Sequence, residues 1–112
     1  MKKFLALSLI VLSLAACKEK TDPYAAWLGK WTGPEGTYLD LSIRDDKYAV
    51  VVANLDGPIT FEGRRVENGI AFERDGKTEV IKAGDGVATG MKWLADKKDC
   101  LVINTGEGFC RD

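Results

Sequence analysis

The sequence predicts an all-β domain: a small antiparallel up-and-down barrel or coiled meander of seven to eight strands with a short N-terminal helical turn. Three observations predict it. From Thr37 onward the chain runs in short stretches where apolar and polar residues alternate, the period of a half-buried strand. Asn68-Gly69 and Asp75-Gly76, the dipeptides that suit type I′ hairpin turns, fall between such stretches. Twelve glycines and repeated turn signals leave little room for long helices. Consecutive strands joined by tight turns are antiparallel neighbours, and closing so long a meander removes its exposed edges. A flat β-sandwich is the competing arrangement.

The N-terminus has a different composition. Lys2 and Lys3 precede thirteen largely apolar residues, Phe4 to Ala16, the anatomy of a secretory signal. The run is too short for a membrane span, which needs about 20 residues. It ends in Leu14-Ala15-Ala16-Cys17, which resembles the bacterial lipobox. That resemblance implies cleavage before Cys17, lipid on its sulfur, and a lipoprotein anchored in the envelope. An ordinary secretory signal with an incidental cysteine is the alternative. Residues 1–16 are then signal, 17–22 a polar tether and 23–112 a single β domain. Lys18 follows the cysteine where an aspartate would resemble an inner-membrane retention signal. This favours the periplasmic face of the outer membrane over that of the inner membrane.

Asp22 and Pro23 suit the cap and first turn of a helix, with Tyr24 to Leu28 making one or two turns before Gly29. Gly29-Lys30-Trp31 then resembles the Gly-x-Trp signature that opens the first strand of lipocalins. The resemblance implies a closed barrel with Trp31 in the core across its closed end. Strands this short enclose little volume, so it does not imply a deep ligand cavity. Gly33-Pro34-Glu35-Gly36 reads as a rigid loop on one rim.

Leu39, Leu41 and Ile43 share a face of the first long strand, with Tyr38 on the other. Tyr48 to Leu55 is apolar on both faces, as in a strand covered on both sides or lining a closed barrel. Ile59 and Phe61 alternate inward, but Val66 has the opposite parity, which suggests a bulge at Gly63. Ile70 and Phe72 share a face, and Thr78 to Lys82 forms the next strand. Val87 to Leu94 reads as another, interrupted at Gly90. Cys100 to Ile103 and Phe109 to Arg111 complete the set.

Composition narrows the function. The chain's 16 basic and 17 acidic side chains lose Lys2 and Lys3 with the signal, leaving 14 and 17, a net charge of about −3. Nucleic-acid binding calls for a clustered basic face, so this balance argues against it. With Cys17 given to lipid, Cys100 and Cys110 remain, and export makes a disulfide the default for such a pair. Two cysteines without any histidine make a poor zinc site, and no cofactor or metal is expected. The mature chain has no histidine and one serine, Ser42, which rules out Ser-His-Asp and Cys-His catalysis. Glu62, Glu67, Glu73 and Glu79 lie on adjacent predicted strands but are what a solvated sheet face carries anyway. Asp85 between Gly84 and Gly86 lacks the spaced carboxylates of a calcium loop.

Arg64-Arg65 is more informative, because adjacent strand residues face opposite ways. One of the two must point inward or toward a barrel end and meet an acidic partner or an anionic ligand. Trp93, Tyr38 and Tyr48 are candidate contact aromatics, alongside Trp27 and Tyr24. The expectation is a lipid-anchored, non-enzymatic envelope module that binds a protein partner or small ligand. Two alternatives stand beside it. One is an inhibitor of a periplasmic or host hydrolase such as lysozyme, by likeness to small disulfide-bonded β-barrel lipoproteins. The other is a carrier of a small apolar ligand.

Overall fold

The computed structural model describes residues 22–112; the signal, the lipobox, Cys17 and the tether up to Thr21 lie outside the described residues. Alternation along the chain becomes eight antiparallel strands that close in chain order, which settles the barrel against the sandwich. They are β1 (Gly29–Thr32), β2 (Tyr38–Arg44), β3 (Lys47–Asn54), β4 (Gly57–Val66), β5 (Gly69–Arg74), β6 (Lys77–Gly84), β7 (Asp99–Asn104) and β8 (Glu107–Arg111). The ring closes where Thr32 of β1 lies opposite Cys110 of β8. Closure satisfies the backbone groups that an open sheet would leave at its edges.

Inward side chains fill the interior. Trp31, Leu39, Leu41, Tyr48, Val50, Val52, Ile70, Phe72, Ile81, Leu101, Ile103 and Phe109 form one buried cluster. Most of this set follows from period-2 alternation, so the pattern that predicts strands also predicts the core. Ile43 keeps the parity of Leu39 and Leu41 but lies past the filled interior and is exposed.

Two expectations are corrected. Gly63 is not a bulge: β4 keeps continuous register with both neighbours, Gly63 standing opposite Tyr48 on one side and Phe72 on the other. A Cβ there would meet Val50 Cγ2 at 2.8 Å and Ile70 Cγ2 at 3.0 Å. The glycine therefore gives its inward position to neighbouring side chains, and Val66 keeps its outward parity. The register irregularity lies instead between Val102 and Asn104, in the β7–β8 pair.

Nor is Val87 to Leu94 a strand; it forms two single 3₁₀ turns, Val87–Thr89 and Lys92–Leu94. Local polar side chains capture its backbone groups before a ladder can. Asp85 Oδ1 accepts the Ala88 N–H at 2.9 Å. The Thr89 hydroxyl donates to the Gly86 carbonyl at 2.6 Å and accepts the Met91 N–H at 3.0 Å. Gly90 turns the chain with φ of +71°. This connection lays Leu94 and Met91 over the outer face of the wall, against the Cys100–Cys110 disulfide. The two cysteines stand directly opposite each other in register, their Cα atoms 4.0 Å apart.

Candidate functional site

The barrel ends differ in how their last inward positions are filled. At one end the N-terminal segment forms a plug. Its helical content is one 3₁₀ turn, Ala25–Trp27, shorter than the one or two helical turns expected over Tyr24 to Leu28. Asp22 Oδ1 accepts the Tyr24 N–H at 2.9 Å and the Tyr48 hydroxyl at 2.7 Å. Trp31 is 2% exposed, and its indole N–H donates to the Trp27 carbonyl at 2.8 Å. Arg111, on the inward parity of β8, lies over the Trp31 ring with its guanidinium carbon 4.0 Å from the centroid. Its N–H groups donate to the carbonyls of Ala26 and Leu28 at 2.9 and 2.6 Å. One guanidinium thus ties β8, β1 and the plug together.

Tyr48, a candidate contact aromatic in the sequence, is buried at this end. It is 5% exposed, and burial followed by its bond to Asp22 pushes the phenol up to about 12. Its face was ambiguous in the sequence because β3 is apolar on both sides.

The opposite end is an open mouth, framed by the turns after β1, β3, β5 and β7. Arg74 shares parity with Ile70 and Phe72 and so arrives on the inward face of β5. Glu79 of β6 and Glu107 of β8 meet it there. Arg74 Nη2 donates to Glu107 Oε1 at 2.7 Å and to Glu79 Oε2 at 3.1 Å, and Nη1 donates to Glu107 Oε2 at 2.8 Å. The Asn104 amide donates to Glu79 Oε1 at 3.1 Å. The three charged side chains are only 18%, 13% and 26% exposed. Arg74 holds the Glu107 carboxyl below the usual carboxylate range, the bond outweighing burial, and the arginine is itself raised.

Two hollows meet at this mouth and share Asn54. The larger, about 670 Å³, is lined by Ile59, Phe61, Arg74, Asp75, Lys77 and Glu79 among others. The smaller, about 370 Å³, is mostly apolar, with Pro34, Val52, Leu55, Met91 and Phe109 in its walls and Glu35 and Glu107 on its rim. Leu55 and Ile59 are 72% and 54% exposed. A third hollow of about 400 Å³ lies under the β2–β3 turn, among Arg44, Asp46, Lys47 and Glu62. It holds no comparable buried charge, only an exposed Lys47–Glu62 pair at 3.7 Å.

The residues singled out in the sequence are scattered. Arg64 points outward and pairs with Glu73 at 3.4 Å on the solvated face, which contributes little. Arg65, on the inward parity, stands exposed at the rim of the plugged end, its charge acting on Tyr48. Tyr38 lies on the outer wall with the Lys30 ammonium 4.3 Å from its ring centroid, and Trp93 is exposed on the β6–β7 connection. Of the four glutamates considered as a pair, only Glu79 enters the mouth, and its companion is Glu107. The Gly33-Pro34-Glu35-Gly36 loop rims the mouth. Arg74 was readable from its parity with Phe72, and Glu107 from its parity with Phe109.

Glu79 and Glu107 are both bound to one guanidinium, and an acid held below its ordinary range is a poor proton donor at neutral pH. Among the described residues, no group of three or more acidic, cysteine or histidine side chains could hold a metal ion, and no helix is long and apolar enough to cross a membrane. Comparison with protein-family models, curated proteins and solved structures gives no match.

Proposed function

We propose that the chain is a lipid-anchored envelope lipoprotein whose barrel is a non-enzymatic module that meets a protein partner at its open mouth. One observation carries this reading: the N-terminal segment enters at the plugged end, where Tyr48 and Tyr24 hold Asp22. Cys17 lies five residues before Asp22, a reach of at most about 18 Å. A lipid on Cys17 therefore turns the plugged end toward the bilayer and leaves the mouth facing away from it. Each buried acyl methylene adds about 0.8 kcal/mol, so several chains hold the domain stably. Lys18 after the cysteine supports the outer membrane.

The inhibitor reading draws support from Leu55, an exposed aliphatic on a short turn in which Asn54 Oδ1 accepts the Asp56 N–H at 2.8 Å. Such a turn suits insertion into another protein's cleft. The carrier reading has less support, because side chains occupy the interior.

A photo-crosslinking residue placed at Leu55, and separately at Ile43, tests the proposal in intact bacteria. A discrete protein adduct from Leu55 and none from Ile43 is the expected result. No adduct from Leu55, or the same adduct from both, overturns it. Cys17→Ser tests the anchor, and is expected to abolish fatty-acid labelling and partition into detergent; continued labelling refutes the lipobox reading.

A further inference from the structure

The mouth's apolar groove and the charge around it point to the chemistry of the partner, and this inference rests on the reading above. We propose that the groove receives an aliphatic side chain from a basic protein surface, with lysines or arginines of that surface meeting the rim. The groove supplies the apolar part: Val52 and Phe109 continue the barrel core up to its floor, and Leu55 stands exposed beside them. Burying one such side chain in a desolvated pocket is the usual centre of a tight protein contact.

Charge selects what surrounds that centre. The turns and walls of the mouth carry Glu35, Asp56, Asp75, Glu79 and Glu107 against Arg74 and Lys77. Arg74 directs four of its five N–H donors into Glu79 and Glu107, so it neutralises charge inside the mouth. What faces outward is a surplus of carboxylates around an apolar centre. A basic partner is attracted to it and an acidic one repelled. The bilayer does not compete for this face, because the anchor holds the opposite end toward it.

The test uses the full lipidated chain in non-ionic detergent micelles and three dye-labelled peptides. One has a single leucine between two lysine runs, the second has alanine in place of the leucine, and the third has glutamates in place of the lysines. Fluorescence anisotropy is expected to show the lysine–leucine peptide binding at least about tenfold more tightly than either of the others. The triple variant Glu35→Gln/Asp56→Asn/Asp75→Asn is expected to weaken that binding by about tenfold. It replaces exposed turn residues by isosteres, and asparagine tolerates the left-handed backbone of Asp75, so the fold is retained. Leu55→Ser is expected to erase the preference for leucine over alanine. Absent binding, equal binding of the acidic peptide, or unchanged binding by the triple variant overturns the inference. If Leu55 still crosslinks to a partner in cells when the peptides fail, the binding function stands and only the chemistry assigned here falls.

Discussion

Each end of the barrel is finished by an arginine on the inward face, and the two are satisfied in opposite ways. Arg111 at the plugged end lies on an indole and donates to neutral carbonyls. Arg74 at the mouth lies 5.6 Å from the Phe72 ring centroid and donates to two carboxylates. The groups that Arg111 meets do not titrate, and the indole beneath it is buried. The groups that Arg74 meets are carboxylates, with Leu55 and Ile59 exposed near them. Between the two ends the interior is filled by side chains.

The largest effect that can break this comparison is at Trp31. Trp31→Ala removes the side chain that joins plug to core and is expected to cost about 3–5 kcal/mol in a denaturant melt. Trp93→Ala, at an exposed tryptophan, is expected to cost less than about 0.5 kcal/mol. Similar values for the two would mean that the plug is not structural.

Reducing Cys100–Cys110 comes next, at roughly 2.5–3 kcal/mol on the chain-entropy estimate for so short a loop. The oxidised domain is expected to titrate no free thiol at these positions, and the melt should shift down on reduction. Arg111→Ala strands carbonyls of the plug and is expected to cost about 2–3 kcal/mol. Arg74→Met leaves two partly solvated carboxylates that water can reach, and a smaller loss is expected, under about 2 kcal/mol at neutral pH. The reverse order would make the mouth the structural end.

The smallest effects are in pH. Glu107 is held below its ordinary value, so its contribution is present at neutral pH. It is lost as pH falls through the ordinary carboxylate range, about 4.3, to the lower folded value. Glu107→Gln is expected to flatten the acid limb of melting temperature against pH, whereas Arg111→Lys leaves it unchanged. Tyr48 has the opposite sign. Its raised value means stability is intact below pH 10 and falls as pH rises toward about 12. Ultraviolet titration is expected to show one tyrosine ionising near 12, absent in Tyr48→Phe.

The parts legible in the sequence are those set by local periodicity. Leu39, Leu41, Ile70 and Phe72 announced their face by alternation, and Asp75-Gly76 announced a hairpin where the structure has one, both residues at positive φ. Asn68-Gly69 announced a hairpin too, but its two turn residues are Glu67 and Asn68, Gly69 already pairs with Val66, and none of the three has the positive φ of a type I′ turn. What was not legible depends on three-dimensional crowding or on local capture of backbone groups. Gly63 is a glycine because Val50 and Ile70 need its space, a fact held in two other strands. Val87, Met91 and Leu94 have the look of a strand, yet Asp85 and Thr89 take the backbone bonds a strand would need. The inward parity of Arg74 is readable from Phe72, but its partners are not. Its carboxylates come from β6 and β8, and nothing in the chain order brings Glu107 beside Glu79.

The central claim is that the plugged end faces the bilayer and the mouth faces away from it. Paramagnetic relaxation measures this directly, using the lipidated, isotope-labelled chain in nanodiscs that carry a paramagnetic headgroup lipid. The account predicts strong broadening of the amides of Ile43 and Asn68 at the plugged end, and little at Leu55 and Asp75 in the mouth. Broadening of Leu55 and Asp75 equal to that of Ile43 and Asn68, or greater, would contradict it.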